Sequence, residues 1–563
     1  MIPYVRRAAI GCIAGAAASV TLIATFGHPF GSVFLGAVVG MSFTVTTSTE
    51  QGSFADNMMM GGSLGVPLWG VLSIIVYPLL SGEAPDWSAS QMRQHFPALV
   101  GWVLYGVLMG SIAELLRRAA ISLFGPETQA EHPELANKKR ILILGGGFAG
   151  MKTAECLEDE FRRDPFVSIS LVSETNALLF TPMLAEVAGS SLEPSHISTP
   201  LRTSLRRTDF IRGRVANVDM ERKLVTLDPE PGETEGRELA YDQLVLALGA
   251  VSNYLGLTNV QKLAFDFKSL VDAIKIRNRV IDLFERADRE TDPALRKSLL
   301  TFVIAGGGFA GVELAGALND FARGILVDYR NLTNEDVRIV LVHARDVILP
   351  ELSESLGRYA QARMEERGVE FVLNARLTDA RPGAVVLSTG ELAAETLVWT
   401  AGTAPNPLTK TLGVEVDRRG AIIVEPTLAV KDRPGVWALG DCAAVVDAKL
   451  GKPCPPTAQF ALREAATVAR NVRAALEGKP ARGFHFDSLG ALCVVGHQTA
   501  CAELTVPFAR SKSMRFSGLL AWMMWRGIYL GKLPGLERKV RVLVDWTVEL
   551  FFPKDIVQTI ELR

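Results

Sequence analysis

A chain of 563 residues is long enough for several domains. Its 59 Lys and Arg against 61 Asp and Glu leave a net charge of −2, which gives no footprint for nucleic acid, and its 6 cysteines form no CxxC pair, so a metal ribbon and a disulfide framework both lack support. The mean hydropathy of +0.22 is high for such a length, and the excess is concentrated in residues 1–125.

That first stretch holds apolar runs at 8–26, 30–48, 58–81 and 98–116, each near the roughly 20 residues that span a bilayer. Every run carries glycines four apart (Gly11/Gly15, Gly36/Gly40, Gly61/Gly65, Gly106/Gly110), a spacing that lets helix backbones pack closely in lipid. The pattern predicts an all-α, four-helix transmembrane domain over 1–125. Arg6 and Arg7 precede the first run and Arg117 and Arg118 follow the last, with only Arg93 between, so both ends are expected on the cytoplasmic side. A secretory signal would also begin with basic residues and an apolar stretch, but three further runs argue against one. The run cores lack Asp, Glu, Lys and Arg, and Glu114 lies at the cytoplasmic end of the fourth. Proton and ion pathways need buried ionisable groups despite a cost of about 3 kcal/mol each, so an anchor is expected rather than a pump.

A polar, Pro-containing linker is predicted over 126–139. Beyond it, RILILGGGFAGMKTAECL begins at Arg140 and TFVIAGGGFAGVELAGAL at Thr301. Each is an apolar run of strand length, then GxGxxG, then small and apolar residues at helical spacing. Gly145 and Gly306 would turn the chain, Gly147 and Gly308 would let the backbone approach a pyrophosphate, and Gly150 and Gly311 would let helix pack on strand, with phosphates on the helix N-termini. One copy arises for steric reasons often enough to prove little. Two copies in full context predict a flavin and a nicotinamide nucleotide held face to face, the alternative being a duplicated α/β domain that binds nothing.

The next strand, VSISLVSE, puts Ser173 and Glu174 where an acid would grip the adenine ribose. Glu174 is favoured, with Ser173 beside it, and a solvated strand-end carboxylate is the alternative. YDQLVLALGA, containing Ala247 and Gly249, and TLVWTAGTAPN, containing Ala401 and Gly402, have the form of crossovers from sheet to ligand. In GVWALGDCAAV, Asp441 follows Gly440 at a strand end, where its carboxylate can accept hydrogen bonds from ribitol or sugar hydroxyls or simply cap a helix.

From about Lys138 onward the chain resembles the type II, non-proton-pumping NADH:quinone oxidoreductases. The resemblance is carried by the double GGGFAG, LLFTPMLAEVAG (178–189), VELAGAL (312–318), LGDCAAV, PPTAQFALREA (455–465) and the closing run LLAWMMWRGIYLGKLPGLERKVRVLVDWTVELFFPKDIVQ (519–558). Related flavin disulfide reductases need a redox cysteine pair behind the first helix, where this chain has TPMLAEVAG.

The resemblance implies an α/β fold with two Rossmann-like domains, for FAD (140–255 and 401–505) and NAD(P)H (256–400), then a membrane-associating amphipathic region (506–563). It assigns Gly145, Gly147, Phe148, Ala149 and Gly150 to the FAD pyrophosphate, Asp441 to the ribitol, and Thr181 and Pro182 to a loop beside the flavin. Gly306, Gly308, Phe309 and Gly311 would hold the nicotinamide nucleotide, with Glu313 near the nicotinamide; an acid in a first helical turn also stabilises the dipole without further role. Ala458 and Gln459 match the AQ element between flavin and quinone, Gln459 being a donor to a quinone carbonyl. Where many members continue with a second glutamine pair, this chain has Arg463 and Glu464. Where NADH-specific members end a strand in LVEA, it has LVHA, with His343 in place of the acid and Arg345 two residues on. NADH is the favoured donor, and NADPH stays open.

In the tail, Leu536, Val540, Leu543, Val544, Thr547, Leu550 and Phe551 recur at helical spacing, off the side of Arg538, Lys539 and Arg541, and Trp522, Trp525 and Tyr529 precede them as interface-seeking aromatics. Such a stripe also suits core packing. The expected partners are a membrane quinone and the bilayer, with no metal; a homodimer and a partner for the N-terminal helices are left open. The expected location is the inner (cytoplasmic) membrane, multi-pass, with the catalytic part facing the cytoplasm. Two rivals stand: a sulfide:quinone oxidoreductase using Cys156, Cys442, Cys454 or Cys493, and a membrane-tethered nucleotide-binding scaffold.

Overall fold

The computed structural model describes residues 3–26, 28–46, 54–80, 96–124, 138–229, 232, 236–505 and 513–558. They fall into two compact units, Met1–His132 and Pro133–Arg563. Arg93 and all but the last two residues of the predicted linker lie outside the described residues.

In the first unit, Pro3–Ala18 continues as Val20–Phe26 and is followed by Pro29–Thr46, Phe54–Leu68 and Phe96–Phe124. Pro67 lies inside the helix from Phe54, and the chain then runs as a π-helix over Trp69–Val76, as expected where proline removes a backbone donor. Val5–Thr25, Phe54–Leu79 and Phe96–Leu123 are long and apolar enough to cross a membrane, while Pro29–Val45 is a shorter apolar helix. The glycine spacing is used as the sequence suggests: a Cβ on Gly15 would stand 2.0 Å from the Gly36 carbonyl oxygen, and one on Gly61 would stand 2.1 Å from that of Gly106. Packing at this range brings polar groups together. The Tyr105 hydroxyl donates to the Gly36 carbonyl at 2.6 Å, and Trp102 Nε1 to Ser73 Oγ at 3.0 Å. Glu114 is buried on a helix that runs past residue 116, accepting from Asn57 at 3.0 Å and pairing with Arg117 and Arg118, each at 2.7 Å.

In the second unit, two parallel sheets each carry one fingerprint. The first has spatial order 436–438, 243–246, 139–144, 167–173, 208–212, and the second 369–372, 338–342, 301–305, 396–399. Their central strands, Ile141–Leu144 and Thr301–Ala305, are buried throughout, as apolar runs covered on both faces must be. Antiparallel three-stranded meanders are inserted in each half, at 215–240 and 377–393. The two predicted crossovers meet each other: Ala250–Ser252 pairs antiparallel with Thr403–Pro405, joining the halves by a two-stranded hinge.

A third three-stranded antiparallel sheet (490–496, 499–505, 513–517) leads into helices Gly518–Lys532 and Leu536–Phe551. On the last helix, Val542 and Trp546 are buried, whereas Leu536, Leu543, Val544, Leu550 and Phe551 are exposed, so the predicted stripe is not used for core packing. Of the preceding aromatics, Trp525 differs from expectation. Trp525 is 2% exposed and tilts against Tyr529 at 4.9 Å, and Tyr529 packs edge-on to Phe180. These rings fasten the helix to the body, and its exposed apolar residues are instead Leu519, Leu520 and Met523.

Candidate nucleotide and electron-transfer site

At each fingerprint the chain leaves a strand through a glycine of positive φ, Gly145 at +110° and Gly306 at +123°, and enters the helices Phe148–Glu160 and Phe309–Gly324. A Cβ at Gly150 would stand 1.8 Å from the Gly145 carbonyl oxygen, and one at Gly311 would stand 1.9 Å from that of Gly306. Strand and helix therefore meet without intervening side chains, and unpaired N–H groups at each helix start are turned toward the loop. Nothing comes within 4 Å of a Cβ built on Gly147. The first cradle is thus open and fits a pyrophosphate. At Gly308 the nearest atom is Glu351 Oε1 at 3.2 Å, on an exposed side chain that can turn aside for an anion.

Ser173, the last residue of its strand, packs on the first fingerprint, its Oγ 2.6 Å from a Cβ built on Gly146. Glu174 is exposed and lies 3.8 Å from Arg214. Thr181 and Pro182 open a short 3₁₀ turn. Ala247 closes over Gly145, and Ala401 over Gly306; Gly249 and Gly402 lie beside the hinge strands, Gly249 accepting from Asn406 and Gly402 from Asn253 through their carbonyls.

Asp441 follows the positive-φ Gly440 in a 3₁₀ turn. Two groups surround it: Lys268, absent from the sequence reading, and Glu464, which entered it only as a departure after the AQ element. The buried Glu464 accepts the Gly440 N–H at 2.8 Å, and burial pushes its carboxyl up to about 7. Lys268 lies close enough to Asp441 to counter the burial that lowers its own pKa and raises that of Asp441. Glu464 thus supports the very turn that presents Asp441. Ala458 and Gln459 open the helix Ala458–Leu476. The Gln459 carbonyl accepts from Ser488 Oγ at 3.1 Å and Leu489 N at 3.2 Å, and its amide donates to the Gly490 carbonyl at 3.3 Å.

Glu313 is largely buried, and burial pushes its carboxyl up to about 8; the Val494 N–H, 3.3 Å from Oε1, lowers it in part, Glu186 raises it, and the Trp525 indole N–H, without a well-formed partner, lowers it weakly. It lines a cavity of about 560 Å³ shared with Pro182, Glu186, Trp525 and Arg526. Glu186 accepts from Trp546 Nε1 at 3.0 Å, and burial pushes it up to about 7. Folded Glu313 keeps its proton up to about pH 8 where the unfolded chain releases it near 4.5, so its contribution to stability falls as pH rises through that window. Glu313→Gln cannot ionise. Its melting temperature relative to the parent is expected to climb between those two pH values and to level off above; a difference that stays constant across the window contradicts the assignment.

The thiols offer little to a sulfide reading. Burial pushes Cys442 and Cys454 up to about 11 and raises Cys156 and Cys493 as well, away from the thiolate that nucleophilic chemistry needs.

Residues 139–465 match the family model for pyridine nucleotide-disulphide oxidoreductases, and residues 489–555 match the NDH2 C-terminal domain. The type II NADH:quinone oxidoreductase Ndh of Mycobacterium tuberculosis is 32% identical over 427 residues, covering 73% of this chain and 88% of that protein. The chain belongs to the type II NADH:quinone oxidoreductase family. A probable NADH dehydrogenase of Dictyostelium discoideum is 30% identical over 75% of the chain and 92% of its own length. The fold also matches the structure of NDH2 from Plasmodium falciparum in complex with NADH, with a TM-score of 0.67, 18% identity, and coverage of 75% of this chain and 100% of that one. A sulfide:quinone oxidoreductase from Aquifex aeolicus shares the fold at a TM-score of 0.55 and 17% identity, with coverage of 73% and 95%.

Proposed function

We infer that this chain passes two electrons from NADH through FAD to a membrane quinone without pumping protons. The observation that carries this reading is the pair of glycine cradles in one hinged unit, in a chain of this family. Bound FAD supplies the two-electron step between a hydride donor and a quinone. The protein's own work is positioning. Gly145, Gly147, Phe148, Ala149 and Gly150 hold one pyrophosphate, with Ser173 and Glu174 toward its ribose, and Gly306, Gly308, Phe309 and Gly311 hold the other. Asp441, on the turn fixed by Glu464, takes ribitol hydroxyls. Gln459 has its carbonyl and one amide N–H engaged with residues 488–490, leaving its second N–H to meet a quinone carbonyl. Glu313, protonated at neutral pH, faces the nicotinamide side as a neutral donor rather than a buried charge.

The N-terminal unit acts as a four-helix anchor in the inner membrane with both ends cytoplasmic. In the second unit, the exposed apolar residues of the two terminal helices meet lipid. They open the quinone's route to the flavin. Deleting residues 1–125 is expected to leave NADH:quinone turnover largely intact. Loss of turnover in a folded, flavin-loaded truncation would place the helices in the catalytic unit. Anaerobic sulfide is expected to leave the flavin oxidised, and bleaching by sulfide alone would favour the sulfide-oxidising reading instead.

A further inference from the structure

We propose that the adenosine end of the second nucleotide site sets no carboxylate against a 2′-phosphate and carries an arginine, Arg345, two residues on, so that the chain accepts NADPH as an electron donor alongside NADH. The inference rests on the second fingerprint being the nicotinamide-nucleotide site.

The strand Arg338–Val342 ends next to the cradle, and the residue after it is His343. An acid at this place accepts both ribose hydroxyls and repels a 2′-phosphate. The His343 ring lies against the fingerprint, its Cγ 2.7 Å from a Cβ built on Gly307, and its Nδ1 accepts the Gly307 N–H at 3.1 Å. A ring nitrogen that accepts carries no proton, so the neutral ring bears its hydrogen on Nε2. Burial and the nearby Arg345 lower the His343 pKa and hold the ring in that form. Nε2 is itself buried without a partner; the Val347 backbone lies beside the ring without completing a hydrogen bond.

The consequence is chemical. The ring satisfies the Gly307 N–H as a carboxylate would, but it has neither negative charge nor a spare lone pair to offer the ribose. Arg345, two residues on, is exposed and close enough to act on both His343 and Glu351. Of the nearby carboxylates, Asp346 faces Arg358 at 3.9 Å, and Glu351 stands over Gly308, on the pyrophosphate side of the cradle. A 2′-phosphate would therefore meet no carboxylate at the strand end, and an exposed guanidinium two residues on, where NADH-specific sites set a charge against it.

The test uses the full-length, flavin-loaded protein. Anaerobic flavin reduction is followed with NADH and with NADPH, and AMP and adenosine 2′,5′-bisphosphate are compared as competitors. The efficiencies for the two donors are expected to lie within about tenfold of each other, with the bisphosphate the tighter competitor. His343→Glu sets like charge against the phosphate and is expected to lower the NADPH to NADH ratio by about tenfold or more. Arg345→Ala is expected to lower the same ratio. A parent that favours NADH by more than about a hundredfold overturns the inference. So does a bisphosphate no tighter than AMP, or a ratio unmoved by both variants. Reduction by NADH alone would leave the donor assignment standing, whereas reduction by neither nucleotide would overturn both.

Discussion

Gly311→Ala is expected to purify with its flavin and to lose reduction by NADH, whereas Gly150→Ala is expected to lose the flavin itself. The two substitutions add the same methyl group at equivalent places, 1.9 Å from the Gly306 carbonyl oxygen and 1.8 Å from that of Gly145. Neither neighbour is a flexible side-chain tip. Both are backbone at the turn that aims a helix N-terminus, so relief requires the helix to move off its strand and the N–H groups to leave the phosphate position. Overpacking of this kind costs about 1–3 kcal/mol or more in a well-packed core. Thr400 Oγ1, 2.6 Å from the Gly311 position, tightens the second site further. Flavin absorbance per polypeptide reads the first site, and the anaerobic reduction rate reads the second. Two variants that both keep flavin and both bleach with NADH at the parental rate would show that the cradles do not hold the nucleotides.

Arg526→Ala is expected to loosen the terminal helices, lowering the melting temperature and slowing flavin reoxidation by quinone more than flavin reduction by NADH. The Arg526 guanidinium lies between the rings of Trp522, at 4.0 Å, and Trp546, at 4.5 Å. It also pairs with Glu549 at 3.1 Å and faces Glu186 at 4.0 Å. Trp522 belongs to one terminal helix, Trp546 and Glu549 to the other, and Glu186 to the body, so a single side chain ties three segments. Removing one member of a largely buried pair leaves the other uncompensated, at about 3–5 kcal/mol. Lys554, which also pairs with Glu549, offsets part of that loss. Arg526→Lys keeps the charge but not the flat stacking surface, and is expected to fall between parent and alanine variant. A parental melting temperature in the alanine variant would mean that the clamp contributes nothing.

The fingerprints were legible because their requirement is local: a strand end, a positive-φ turn and a close helix are written within a dozen residues. The glycine pairs of the N-terminal runs were legible for the same reason. The surroundings of Asp441 were not, because Glu464 and Lys268 reach it from helices and loops that spacing does not connect. Glu186 is a stronger case, since its partner Trp546 is 360 positions away. Helical spacing identified apolar stripes in the tail but could not say which face the body covers, and so Trp525, expected among interface aromatics, is instead buried, with Tyr529 packed on Phe180. At His343 the sequence showed only a missing acid. The ring's contact with Gly307 depends on how the strand end packs on the turn, which spacing does not reveal.

In the proposed function the second cradle delivers electrons to a flavin in the first, and the flavin to a quinone. The most direct measurement is anaerobic: the flavin-loaded protein is mixed with NADH, then with a soluble quinone, while flavin absorbance is followed. Bleaching by one equivalent of NADH and full recovery on adding quinone are expected. A flavin that stays oxidised with NADH, or one that stays reduced when quinone is added, would contradict it.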